Sequence, residues 1–180
     1  MLSAFRTMEW VDGNLHLLDQ TKLPSSEEIV ICKTMDDVCD CIRKMIVRGA
    51  PAIGCAAAFG YVLGVRSLVK DLNVENMSPN GCSSLVTEGR EKIYYSLLKT
   101  RPTAVNLEWA LKQMQSIECK EYESIRSYVN AIELKAIYLL KEDIEKNLKI
   151  GEIGADFLGQ CSSVLTHCNA GGLATGGYGT

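Results

Sequence analysis

Three short stretches carry the residues best suited to chemistry. Val47-Arg48-Gly49-Ala50-Pro51-Ala52-Ile53-Gly54 sets a guanidinium just ahead of a Gly-to-Pro junction, a pattern that predicts a turn opening a helix. First-turn amides have no intrahelical partner and the helix dipole favours negative charge, so Arg48 with the backbone at Gly49 and Ala50 forms a candidate anion site. A turn with a solvated Arg is the alternative. Arg101-Pro102-Thr103-Ala104-Val105-Asn106 is a second loop-to-helix junction, where Pro102 keeps Arg101 extended. Arg101 can grip a phosphate with two parallel N–H groups, or be an ordinary surface Arg before a helix. Two such junctions in one chain favour a phosphate pocket more than either does alone.

The third stretch is Thr166-His167-Cys168-Asn169-Ala170-Gly171-Gly172, at the carboxyl end of a predicted parallel strand, Ser163 to His167. Ligands of open α/β sheets bind at such strand ends. A thiol there can act as a base or stabilise developing charge. The other reading is a small buried Cys ending a strand beside a satisfied core histidine. No Ser-His-Asp order, Walker A sequence or GxGxxG occurs, and the spacing of Gly172, Gly176, Gly177 and Gly179 departs from a dinucleotide fingerprint, which excludes a nicotinamide site. Asp143 and Asp156 fall in predicted helices and match no catalytic motif.

The elements that must position these residues follow from patterning. Thr7 to Val11, Asp12-Gly13 and Asn14 to Gln20 predict a hairpin, with a third strand at Glu28 to Lys33; alternation turns Leu15 and Leu17 inward. A helix capped at Thr34-Met35-Asp36-Asp37 carries Val38, Ile42 and Met45 and is expected to stop near Arg48-Gly49-Ala50-Pro51. Ala52 to Val65 is a glycine-containing apolar run, shorter than the roughly 20 residues of a membrane span, and reads as a closely packed buried helix. Asn73 to Ser84 is expected to be a surface loop. Helices are expected at Leu85 to Lys99, Ala104 to Ser116 and Ile125 to Leu148.

The chain has 180 residues, 47% hydrophobic and 23% charged, with a net charge of -3. These values describe a globular protein and supply no broad basic footprint for nucleic acid or an anionic membrane. Met1 to Trp10 has no apolar core of a secretory signal, so an intracellular protein is expected. Eight cysteines accompany two histidines. No Cys-x-x-Cys pair occurs, and Cys39 and Cys41 point to different faces of one helix, so the reading is reduced, mostly buried thiols without a metal site. The lone strand at Ser163 to His167 needs parallel neighbours, so the chain is expected to stop just inside a second domain.

At these stretches the sequence resembles methylthioribose-1-phosphate isomerases, related to the regulatory subunits of translation initiation factor 2B. The likeness rests on Ile42-Arg43-Lys44-Met45-Ile46-Val47-Arg48-Gly49-Ala50-Pro51-Ala52-Ile53-Gly54, Arg101-Pro102-Thr103-Ala104-Val105-Asn106-Leu107 and Leu165-Thr166-His167-Cys168-Asn169-Ala170-Gly171. It departs at Ile153, where many relatives carry a histidine. The resemblance implies an α+β N-terminal domain, a small antiparallel sheet plus helical bundle at 1–149, followed by the truncated start of a Rossmann-like α/β domain at 150–180. It implies conversion of 5-methylthioribose 1-phosphate to 5-methylthioribulose 1-phosphate in methionine salvage, without metal or cofactor. Arg48, Gly49, Ala50 and Arg101 would bind the substrate phosphate and Cys168 would be the catalytic cysteine.

A catalytic Asp of the family lies further along its second domain, so this chain alone is expected to be inactive. The full-length protein is expected to be a homodimer, cytoplasmic and, in a eukaryote, also nuclear. Apolar surface left for the second domain predicts poor solubility of this chain. The alternatives are a non-catalytic regulatory protein of the initiation factor 2B type, binding a sugar phosphate or nucleotide, and a ribose-1,5-bisphosphate isomerase.

Overall fold

A computed structural model describes residues 6–73, 79–159 and 161–179. Residues 1–5 of the stretch read for a leader, 74–78 of the expected loop, and Thr180 lie outside them. Strands β1 (Met8–Val11), β2 (Asn14–Leu18) and β3 (Ile29–Cys32) form an antiparallel sheet in that spatial order. The hairpin turns on Asp12 and Gly13, both at positive φ (48° and 78°), the geometry that twists with its strands. Pairing of Met8 with Leu17, Trp10 with Leu15 and Leu15 with Cys32 puts Met8, Leu15, Leu17 and Cys32 in the core.

Helix α1 (Met35–Arg43) begins at a capping box: Asp37 N donates to Thr34 Oγ1 at 3.1 Å and Thr34 N to Asp37 Oδ2 at 2.8 Å. It ends at Arg43 rather than near Arg48, because Met45 enters the left-handed region at φ 59° and breaks the ladder. Cys39 approaches the Ser96 carbonyl and Cys41 approaches Cys32, with sulfurs 3.5 Å apart in the latter pair, so the two thiols do face different ways. Of the described cysteines, Cys32, Cys39, Cys41, Cys55 and Cys119 are buried and Cys161 and Cys168 exposed, all as free thiols.

Helix α2 (Ala50–Asp71) is the central element, packed against α1, α3 (Pro79–Leu98), α4 (Val105–Gln115) and α5 (Ile125–Leu158). It is long and apolar enough to cross a membrane by length and composition, and 83% of its apolar window is buried inside the fold. The expected loop at 73–84 is shorter than anticipated: helix α3 already starts at Pro79, which is tolerated in a first turn because its missing N–H has no partner there anyway. Arg90 of α3 is buried and forms no ion pair among the described residues; its Nε donates to Tyr61 Oη at 2.9 Å, its Nη2 to the Gln115 carbonyl at 2.6 Å, and its plane lies over the Tyr128 ring.

Helix α5 passes without a break through residues 149 and 150 and continues ten residues beyond the expected end at Leu148. Its early part is tied to the hairpin: Glu133 accepts from Trp10 Nε1 at 2.7 Å and pairs with Arg66, whose guanidinium also reaches the Gly13 carbonyl and lies over Trp10. Trp10 in turn stacks on Phe59 of α2, ring centroids 4.7 Å apart. The last turns of α5 expose Ile150, Ile153 and Phe157. The expected strand Ser163–His167 does not form: these residues are exposed, pair with no strand among the described residues, and lead into a single 3-10 turn, Gly172–Ala174. A parallel strand is stable only beside others, and no neighbour among the described residues supplies its hydrogen bonds.

Candidate functional site

The start of α2 has the features of an anion site. Gly49 occupies the N-cap at φ 98° with no side-chain cap, and Pro51 sits in the first turn. The Ala50 and Ala52 amides therefore point out of the helix end without a capping oxygen, where the dipole attracts negative charge. The start of α4 repeats this arrangement: its N-cap, Ala104, has no side-chain cap bond, and the Ala104 amide closes a turn onto the Arg101 carbonyl at 3.0 Å. The two helix ends abut, since a Cβ built on Gly54 would lie 2.9 Å from the Asn106 carbonyl oxygen; glycine is required for that approach.

Arg48 and Arg101 are exposed at these two helix ends. Arg101 forms no ion pair or side-chain hydrogen bond among the described residues, so its guanidinium is available to an incoming anion. Arg48 Nη2 donates to Asn169 Oδ1 at 3.2 Å, which brings the segment containing Cys168 to the mouth of α2. Cys168 is exposed and held at φ 62°, a conformation uncommon for a residue with a side chain and one that often marks a functional position. His167 is exposed as well, so neither residue is the buried core group that one reading of the motif anticipated.

The glycine-rich segment after Cys168 is pinned by residues that sequence reasoning missed. Thr7 Oγ1 donates to the Gly172 carbonyl, Gln20 Nε2 to the Leu173 carbonyl at 2.7 Å, and Gly176 N to Asp143 Oδ2 at 2.7 Å. Ala174 lies directly on Gly49: a Cβ there would stand 2.4 Å from the Ala174 Cα. Burial pushes the Asp143 carboxyl above its ordinary range, while the Gly176 amide and Asn147 pull it back. Burial, with Asp143 nearby, also raises the Cys55 thiol, so Cys55 is a poor nucleophile.

Asp143 and Cys55 line a cavity of about 360 Å³ between the first turns of α2 and α4 and the middle of α5, with Pro51, Val105 and Asn106 in its wall. A larger groove of about 550 Å³ lies between the hairpin, α5 and Tyr178; it is walled by Met8, Trp10 and Phe59 and contains none of Arg48, Arg101 or Cys168. The chemistry therefore sits at the helix ends and not in this groove. An arrangement of two guanidiniums, two uncapped helix starts and an exposed thiol can bind a phosphorylated small molecule and hold a sulfur against it.

The sequence pattern of the Initiation factor 2 subunit family matches residues 46–175. The chain is 47% identical over 175 residues to a methylthioribose-1-phosphate isomerase of Thermosipho africanus, covering 97% of this chain and 47% of that protein. The corresponding protein of Thermotoga maritima is 45% identical over the same share of each chain. The crystal structure of 5-methylthioribose 1-phosphate isomerase from Pyrococcus horikoshii superposes with a TM-score of 0.79 at 33% identity, over 99% of this chain and 48% of that one. The translation initiation factor eIF-2B subunit delta from A. fulgidus superposes at 0.77 and 36% identity, over 98% and 48%. The chain thus spans about half the length of the relatives it matches.

Proposed function

The chain belongs to the initiation factor 2 subunit family, and on that premise we propose that it supplies the phosphate-binding half and the catalytic cysteine of a methylthioribose-1-phosphate isomerase. The observation that carries this reading is the meeting of Arg48, the uncapped start of α2 and the Cys168-Asn169 segment, with Arg101 at the adjoining start of α4. Two guanidiniums match the charge of a phosphate monoester, and the amides of Gly49 and Ala50 can donate to its oxygens without reorganising. So anchored, the sugar places C1 and C2 near the Cys168 sulfur, which assists transfer of hydrogen between them as the aldose becomes a ketose.

The rest of the machinery, including a catalytic Asp, belongs to a Rossmann-like domain that begins near residue 150 in this reading, in a cytoplasmic homodimer of about twice this chain's length. Residues 1–180 alone should bind the substrate and turn it over several orders of magnitude more slowly than the complete enzyme, because catalytic groups act as a unit. A second reading, a regulatory protein that binds such a ligand without converting it, draws on the likeness to the A. fulgidus subunit.

Calorimetric titration with 5-methylthioribose 1-phosphate tests the proposal. Arg48→Ala and Arg101→Ala should each weaken binding by about 10- to 100-fold, the loss of a charge-assisted contact worth roughly 1.5–3 kcal/mol. Affinity unchanged from the parent chain in both variants refutes the phosphate site. Alkylation of Cys168 separates the readings: it should abolish turnover in the complete enzyme, and a regulator has no turnover to lose.

A further inference from the structure

We propose that Asp143 is a positioning residue: from α5 it clamps the amide of Gly176 and so fixes the glycine-rich segment bearing Cys168 and Asn169 against the opening of α2. The bond is short, 2.7 Å, and joins residues 33 positions apart. Gly176 sits close against α5: a Cβ there would stand 2.4 Å from Leu140 Cδ1, one turn before Asp143, and 3.2 Å from Asp143 Oδ2 itself. Asn147 Nδ2 donates to the Asp143 carbonyl at 2.9 Å and braces that turn.

The segment is thereby held at both ends. Arg48 takes Asn169 at the near end, Asp143 takes Gly176 at the far end, and between them Ala174 is pressed onto Gly49. The Thr7 and Gln20 bonds join neutral partners, whereas Asp143 offers a half-buried carboxylate, and a charge-assisted bond is about twice as strong as a neutral one. Burying a carboxylate is unfavourable unless its oxygens are used, and here the Gly176 amide uses one of them. Cys168 stands next to Asn169, so its placement depends on the clamp. The catalytic value of that placement rests on the isomerase reading; the clamp itself does not.

The test uses the 180-residue chain, with amide hydrogen exchange and iodoacetamide alkylation read peptide by peptide, and Cys161 as the exposed internal reference. Asp143→Ala should speed Gly176 exchange about tenfold or more. It should also change the Cys168-to-Cys161 alkylation ratio about threefold and weaken inorganic phosphate binding about fivefold, as a local opening without global unfolding. Asp143→Asn keeps an acceptor oxygen but loses the charge, and should fall between Asp143→Ala and the parent chain on all three.

The proposal is overturned if Asp143→Ala leaves exchange and alkylation unchanged, or if Asp143→Asn is as damaging as Asp143→Ala. It is also overturned, with no variant needed, if Gly176 in the unaltered chain exchanges as fast as the exposed amides of 163–167. Absence of phosphate binding by the unaltered chain, with the exchange results as expected, would remove the isomerase reading and leave the clamp standing.

Discussion

Replacing Gly49 by alanine is the sharpest probe of the site, because it keeps every hydrogen-bonding group and changes one methyl. At φ 98° and ψ 139° Gly49 occupies a region that residues with a side chain rarely enter, and forcing alanine there costs of order 1–3 kcal/mol. The new Cβ would lie 2.4 Å from the Ala174 Cα and 2.5 Å from its carbonyl oxygen. Carbon atoms in contact sit at roughly 3.5–4 Å, so the segment must retreat by more than about 1 Å or the helix start must rotate. Retreat strains the bonds at Gly172, Leu173 and Gly176, each worth about 0.5–1.5 kcal/mol net.

The expected total is about 2–4 kcal/mol against the closed arrangement, enough to lower sugar-phosphate affinity roughly 30-fold or more. Calorimetric titration combined with urea denaturation measures both quantities on one preparation. A Gly49→Ala chain that binds 5-methylthioribose 1-phosphate with unchanged affinity and unfolds at an unchanged urea midpoint would refute the reasoning. The segment would then not be seated on Gly49 in solution.

The half-buried Asp143 also predicts a pH signature. Its folded-state affinity for a proton is raised by burial above the ordinary value of 3.8, so the native state holds that proton more tightly than the unfolded chain. Stability contributed by this group therefore falls as pH rises from about 3.8 through its folded-state pKa. Asp143→Asn removes the titration, so any stability advantage of the variant at pH 7 should shrink as pH approaches 4; an advantage that is constant with pH in urea melts would sink the assignment. At the far end of α5 Phe157 is 80% exposed, and Leu165, in the segment that follows, is 97% exposed. The double replacement Phe157→Ser with Leu165→Ser should raise the soluble fraction of the chain with little change in its urea midpoint, and an unchanged light-scattering profile would count against this surface as the cause of association.

The parts of the fold that could be read in advance are those set by neighbours in sequence. Asp12-Gly13 specified the hairpin turn, Thr34 with Asp37 specified the cap of α1, and the spacing of Ile125, Val129, Ile132, Ala136 and Leu139 specified the stripe α5 turns to the core, all buried but Val129, which is half-buried. The continuation of α5 was missed because Gly151 and Gly154 look like breakers. Each costs about 1 kcal/mol in a helix, and that is not enough to end one already formed. Ser163 to His167 was misread for the opposite reason: its residues favour a strand, but strand formation depends on partners that no local pattern supplies.

The candidate site divides along the same line. Arg48, Arg101 and Cys168 stood out from residue type and local spacing, whereas Asp143, Thr7 and Gln20 enter through contacts spanning 33, 165 and 153 positions. Asn169 lay inside a motif already singled out, and its tie to Arg48 could have been suspected from an amide next to the thiol. Asp143 carried no such signal.

The burial of α2 has a consequence for how the chain is made. Of the helices that cover it, only α1 precedes it; α3, α4 and α5 are all translated later. At synthesis rates of roughly 5–20 residues per second, Leu139 of α5, part of the core, emerges some 3–14 seconds after Asp71 closes α2. During that interval the most apolar helix of the protein is held by one short helix and a three-stranded sheet. Ribosome-bound intermediates ending between α2 and α5 should therefore be those most prone to capture by chaperones that bind exposed apolar segments.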